Sequence, residues 1–164
     1  MIHIGRQVPR IVVGRGFTSM FRPNEALLVR WRLAAFILHC TALLCVADYR
    51  HTLIVKASLL PGYTSEDFDY FYSSAQAAIA MTIFCLVVCI SGIATARTLR
   101  VTGVNFLHAV CHTSAGVLLL AVWHYTSHVH RLWHIFYVFS IIPSIVELLA
   151  VFLSLWRGYD AFVS

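Results

Sequence analysis

Residues 133–156 read WHIFYVFSIIPSIVELLAVFLSLW, and this stretch decides the fold class. It exceeds the roughly 20 apolar residues that cross a bilayer as a helix. It also carries Pro143 and Glu147. A carboxylate at mid-bilayer costs about 2.5–3.5 kcal/mol on insertion scales. The acid is tolerated only where the protein supplies a partner, so Glu147 is expected to face other helices and not lipid.

Working outward, three further segments have the same character: 27–47, 74–96 and 104–126. With 132–156 they predict an all-α, polytopic membrane protein, a bundle of four transmembrane helices. The chain is 60% hydrophobic and 12% charged, which excludes an ordinary soluble domain. Too little chain lies outside the spans for a separate catalytic domain. The expected organisation is a basic tail over 1–26, a helical membrane domain over 27–156 with an outer loop at 48–73, and a short tail over 157–164.

The net charge of +5 does not signal nucleic acid, because the basic residues flank membrane segments. Arg6, Arg10, Arg15, Arg22, Arg30, Arg32, Arg97, Arg100 and Arg157 put nine of the twelve on one side. The opposite side holds Arg50, Lys56 and Arg131. The positive-inside rule then predicts both termini in the cytosol. The arginine-rich, acid-free start also fits a mitochondrial transit peptide, and that alternative stays open. All five cysteines, Cys40, Cys45, Cys85, Cys89 and Cys111, fall within the spans. No disulfide framework is expected from them.

In the outer loop, the apolar run 53–60 suits the membrane surface and Pro61-Gly62 marks a turn. Thr64 or Ser65 caps the second helix, with Glu66 and Asp67 in its first turn. That helix is expected to run to about Thr95. Phe68, Tyr70, Phe71 and Tyr72 form an interfacial aromatic belt. The third helix leaves from Val104 or Asn105. Its small residues Ala109, Ser114, Ala115 and Gly116 suit close helix approach. The short turn at 127–131 makes the third and fourth helices an antiparallel hairpin.

At 1.5 Å per residue, His39, Cys89, His112 and Glu147 fall in one layer, roughly 10–13 Å from the cytosolic helix ends. His39 and His112 are the expected partners of Glu147. Pro143 removes one backbone bond and bends the fourth helix. The layer His39, His112, Pro143 and Glu147 reads best as a polar clasp that fixes helix order. A haem held between His39 and His112 is a second reading. His124, His128, His130 and His134 form an interfacial rim, or a surface metal site. No residue is assigned to catalysis, cofactor or metal binding, and the chain reads as a non-enzyme.

From Val29 onward the chain resembles the transmembrane protein 107 family, four-span proteins of the ciliary transition zone. Arg32, His39 and Arg50 carry the likeness around the first span, followed by Thr64, Glu66 and Asp69 in YTSEDFD. His112, Ser114 and Ala115 continue it in the third span. Trp133, Ile135, Phe136, Ser140, Pro143 and Glu147 complete it in the fourth. The resemblance implies a non-enzymatic component of the transition-zone membrane complex, the Meckel-syndrome module, which helps gate entry to the cilium. Its implied partners are other small tetraspan proteins, tectonics and B9-domain proteins, together with the bilayer. Thr64, Glu66, Asp69 and Trp133 become candidate partner contacts. The basic extension before Leu28 and the absence of a lysine cluster in 157–164 depart from the family pattern. The alternative from another class is a haem- or metal-binding membrane protein, or an anchor subunit of a mitochondrial complex.

Overall fold

A computed structural model describes residues 25–95, 98–99 and 101–156. Residues 1–24 and 157–164 of the expected tails, and the basic residues Arg97 and Arg100, lie outside the described residues; Glu25 and Ala26 open the first helix. Among the described residues, four helical spans make up the fold: α1 (Glu25–Ala57), α2 (Ser65–Ala94), α3 (Thr102–Tyr125) and a fourth span, His130–Trp156. Each is long and apolar enough to cross a membrane. The fourth span has three parts: α4 (His130–Ile135), a π-helical segment (Phe136–Ile141) and α5 (Ile142–Trp156).

The first helix is longer than expected. No glycine or proline interrupts it at Asp48, and Val46, Leu53 and Ile54 continue a buried stripe at helical spacing. Leu53 and Ile54 therefore sit in the core, fully covered, and not on the membrane surface. The connection shrinks to residues 58–64. It turns at Leu60–Tyr63, where the Tyr63 amide donates to the Leu60 carbonyl at 3.2 Å. Gly62 has φ +88°, which the third position of such a turn requires after a proline.

The second helix starts where the sequence places it. The Thr64 hydroxyl accepts from the Asp67 amide at 3.2 Å, and the Asp67 carboxylate accepts from the Thr64 amide at 3.0 Å. This reciprocal capping box satisfies two otherwise unpaired amides.

Packing sets the helix order. The first helix lies against α2 and α3, and the fourth span lies against the same two helices. Among the described residues, α1 does not pack directly on α5, nor α2 on α3, so these pairs are diagonal. The α1–α3 approach is close because Gly116 faces Leu38 and His39; an added Cβ there would lie 2.7 Å from Leu38 Cγ. The core has two halves. Toward the end where α1 closes and α2 begins, it is apolar, with Val46, Leu53, Leu119, Val122, Leu132 and Ile135. Toward the basic end it is polar.

Candidate functional site

The polar half is assembled from all four spans. Arg32 of α1 is fully buried and reaches Glu147 of α5 across the bundle, Nη2 to Oε1, at 2.9 Å. Its Nη1 donates to Asn105 Oδ1 at 2.9 Å and to Thr98 Oγ1 at 3.2 Å. Thr98 in turn donates to Glu147 Oε1 at 2.7 Å, and Asn105 Nδ2 donates to the Leu99 carbonyl at 2.7 Å. The ion pair thus ties one bundle diagonal together and pins the link between α2 and α3. His108 Nε2 lies 3.1 Å from Glu147 Oε2.

Local sequence explains how Glu147 reaches this position. Pro143 is the second residue of α5, just after the π-helical segment, and its missing amide removes a bond that a plain α-helix needs. The wide turn carries the buried stripe from Phe136 through Ser140 to Ser144 in steps of four. The Ser144 hydroxyl, which lies 2.7 Å from the Ser140 carbonyl and 3.1 Å from the Cys85 carbonyl, occupies backbone acceptors on both helices. Opposite Glu147 stands Gly92 of α2. An added Cβ would overlap the Glu147 carboxyl group, so only glycine leaves room for the acid here.

His39 and His112 form a second pair, Nδ1 to Nδ1 at 3.0 Å, with ring centroids 5.2 Å apart. The expectation that they partner Glu147 is corrected. Arg32, Thr98 and His108 take that role: the guanidinium supplies the counter-charge a buried carboxylate needs, while His39 and His112 engage each other. The direct contact between the two rings also leaves no space for a macrocycle between them, which removes the His39–His112 haem reading. Arg32, Thr98, Asn105 and His108 were not in the expected layer. Treating Arg30 and Arg32 as the membrane edge hides Arg32. Measured from the helix start at Glu25, it lies about 10 Å inward, comparable with the depth of Glu147.

The candidate contacts at the far end divide. Glu66 and Asp69 are exposed, and Thr64 is exposed but committed to its capping box. Trp133 is only half-exposed, and its indole donates to Ser74 Oγ at 2.9 Å, joining the fourth span to α2. Arg50 donates to the Tyr72 hydroxyl through Nε at 3.2 Å and Nη2 at 2.9 Å. His128 and His130 stack with centroids 4.9 Å apart beside Phe71. Partial burial, and then the neighbouring His130, hold His128 below the ordinary histidine range.

The family model for the TMEM107 transmembrane proteins matches residues 28–151, three-quarters of the chain and nearly all of the helical bundle. The chain belongs to the TMEM107 family. The match contains Arg32, Thr98, Asn105, His108 and Glu147, so the whole clasp lies in the family region. Comparison with curated proteins and with solved structures finds no match.

Proposed function

We propose that this protein is a non-enzymatic membrane component of the ciliary transition zone, where it supports cilium formation and the barrier that controls ciliary membrane composition. Family membership over the full set of spans is the observation that carries this reading. The shape of the bundle suits it. Exposed apolar side chains such as Ile37, Leu44, Phe84, Val117, Leu148 and Phe152 occur on every long helix, and the connections between helices are short. Such a body meets neighbours sideways, through helix faces in the bilayer. Small tetraspan proteins suit those lateral faces. Tectonics and B9-domain proteins are the remaining partners of the proposed complex. Glu66 and Asp69, exposed at the far end, are candidate contacts for a partner domain outside the membrane.

The test is localisation of the fluorescently tagged full chain in ciliated cells. A signal confined to the cilium base is expected. A mitochondrial signal would overturn the proposal in favour of an organellar anchor subunit. Recovery of partners after replacing Glu66 and Asp69 together refines it, since the proposal expects assembly to fall while membrane insertion holds.

A further inference from the structure

The polar half holds a second convergence that the Arg32–Glu147 pair does not use. Cys89 of α2 and His108 and His112 of α3 are all buried. One ligand atom from each, the thiol sulfur and a ring nitrogen per histidine, lie within 4.8 Å of one another. The histidines are one helical turn apart, so their rings share a face. One nitrogen of each faces a neighbour, His108 Nε2 at 3.1 Å from Glu147 Oε2 and His112 Nδ1 at 3.0 Å from His39 Nδ1. The remaining nitrogens, His108 Nδ1 and His112 Nε2, are buried without a protein partner. A buried polar atom left in this state is destabilising, because it has lost water and gained nothing in exchange. Two such atoms, on the two histidines that converge with the thiol, indicate that something else completes them.

We propose that Cys89, His108 and His112 bind one thiophilic cation, copper(I) or zinc, inside the bundle. Thiolate with imidazole is the donor set that selects these ions over magnesium, calcium or manganese. The surroundings match what metal-bound histidines need. A carboxylate faces the far nitrogen of His108, and His39 faces that of His112, fixing both rings. Ser144 Oγ lies 3.5 Å from Cys89 Sγ and can accept from the thiol before it is deprotonated. The Arg32 guanidinium offsets the Glu147 carboxylate, so a Cys89 thiolate leaves one negative charge, which copper(I) neutralises and zinc exceeds by one. On binding, the thiol proton leaves to solvent as the sulfur–metal bond forms. Bonds of about 2.0–2.3 Å bring ligand atoms close together around one ion, so loading draws the three side chains inward. The ion would join α2 to α3, the diagonal that the Arg32–Glu147 pair does not span.

The full-length protein, purified in detergent without a histidine tag, is loaded with zinc or with copper(I) under reducing conditions. Metal content is then measured after gel filtration. About one bound ion per chain is expected for at least one metal, falling to background in Cys89→Ser. Cobalt(II) loading should give a thiolate-to-metal charge-transfer band. The band should persist when Cys40, Cys45, Cys85 and Cys111 are all replaced by alanine, which keeps the test decisive if Cys89→Ser fails to fold. His39→Gln, a change at a positioning residue, should weaken binding about 10–100-fold while keeping the sulfur band. Wild-type protein that binds neither metal stoichiometrically overturns the proposal. So does binding that survives Cys89→Ser and disappears when His124, His128, His130 and His134 are replaced, since that ion sits at the far rim.

Discussion

The two halves of the bundle core solve different problems. At the far end Val46, Leu53, Leu119, Val122, Leu132 and Ile135 pack as an apolar cluster. At the basic end Arg32, Asn105, His108 and Glu147 fill the same interhelical space with charge and hydrogen bonds. In water the apolar half would dominate stability. In a bilayer lipid tails are as apolar as leucine, so separating helices does not expose that half to water, and only the loss of close packing opposes it. The polar half has no such alternative, because a guanidinium and a carboxylate parted in hydrocarbon lose their compensation. The polar half therefore dictates which helices meet, while the apolar half sets how closely they fit.

Breaking the ion pair should give the largest effect. Glu147→Leu leaves Arg32 buried beside Thr98 and Asn105 without its counter-charge, and should destabilise the bundle by about 3–5 kcal/mol. Glu147→Gln should cost less, since its amide oxygen still accepts from Arg32. The double replacement Arg32→Met with Glu147→Leu should regain most of the loss. Reversible unfolding in mixed micelles measures all three. A double variant as unstable as Glu147→Leu alone would mean that the pair is not the source of the effect.

Leu119→Ala sharpens the contrast from the other side. Leu119 is 2% exposed in the far half. In a soluble core such a change forfeits transfer free energy as well as contacts. Here the transfer part is largely absent, which leaves about 1–2 kcal/mol of lost packing in the same unfolding assay. A loss equal to that of Glu147→Leu would erase the distinction between the halves.

Thr64→Ala should have the smallest effect, about 1 kcal/mol or less. Its capping box is exposed, so water replaces the hydroxyl at the Asp67 amide. Hydrogen exchange should show fraying confined to the first turn of α2, with the Arg32–Glu147 end unchanged. Loosening at both ends would show that the halves are coupled more tightly than their separate packing implies.

Much of this molecule is legible residue by residue. The four spans follow from apolar length, and the start of α2 from Thr64 and its acids, because capping and hydrophobic matching act over a few neighbouring positions. The inward facing of Glu147 follows from the cost of a carboxyl group in hydrocarbon. The extent of α1 was harder to read. Asp48 and Arg50 look like a membrane exit, yet the helix runs on to Ala57 because Leu53 and Ile54 find cover against other helices. The partners of Glu147 were harder still. Arg32 precedes it by 115 residues, and depth counts place several polar groups at the same level without saying which ones face each other. Only the helix order, with α1 and α5 on one diagonal and α3 beside both, selects Arg32 and His108 for the acid and leaves His39 to His112. Sequence alone determined which residues must lie in the membrane and which of them require a partner, since both are set by local free energy of transfer. The tertiary structure decided which partner each one meets, because that choice depends on how four helices order and rotate around a common axis.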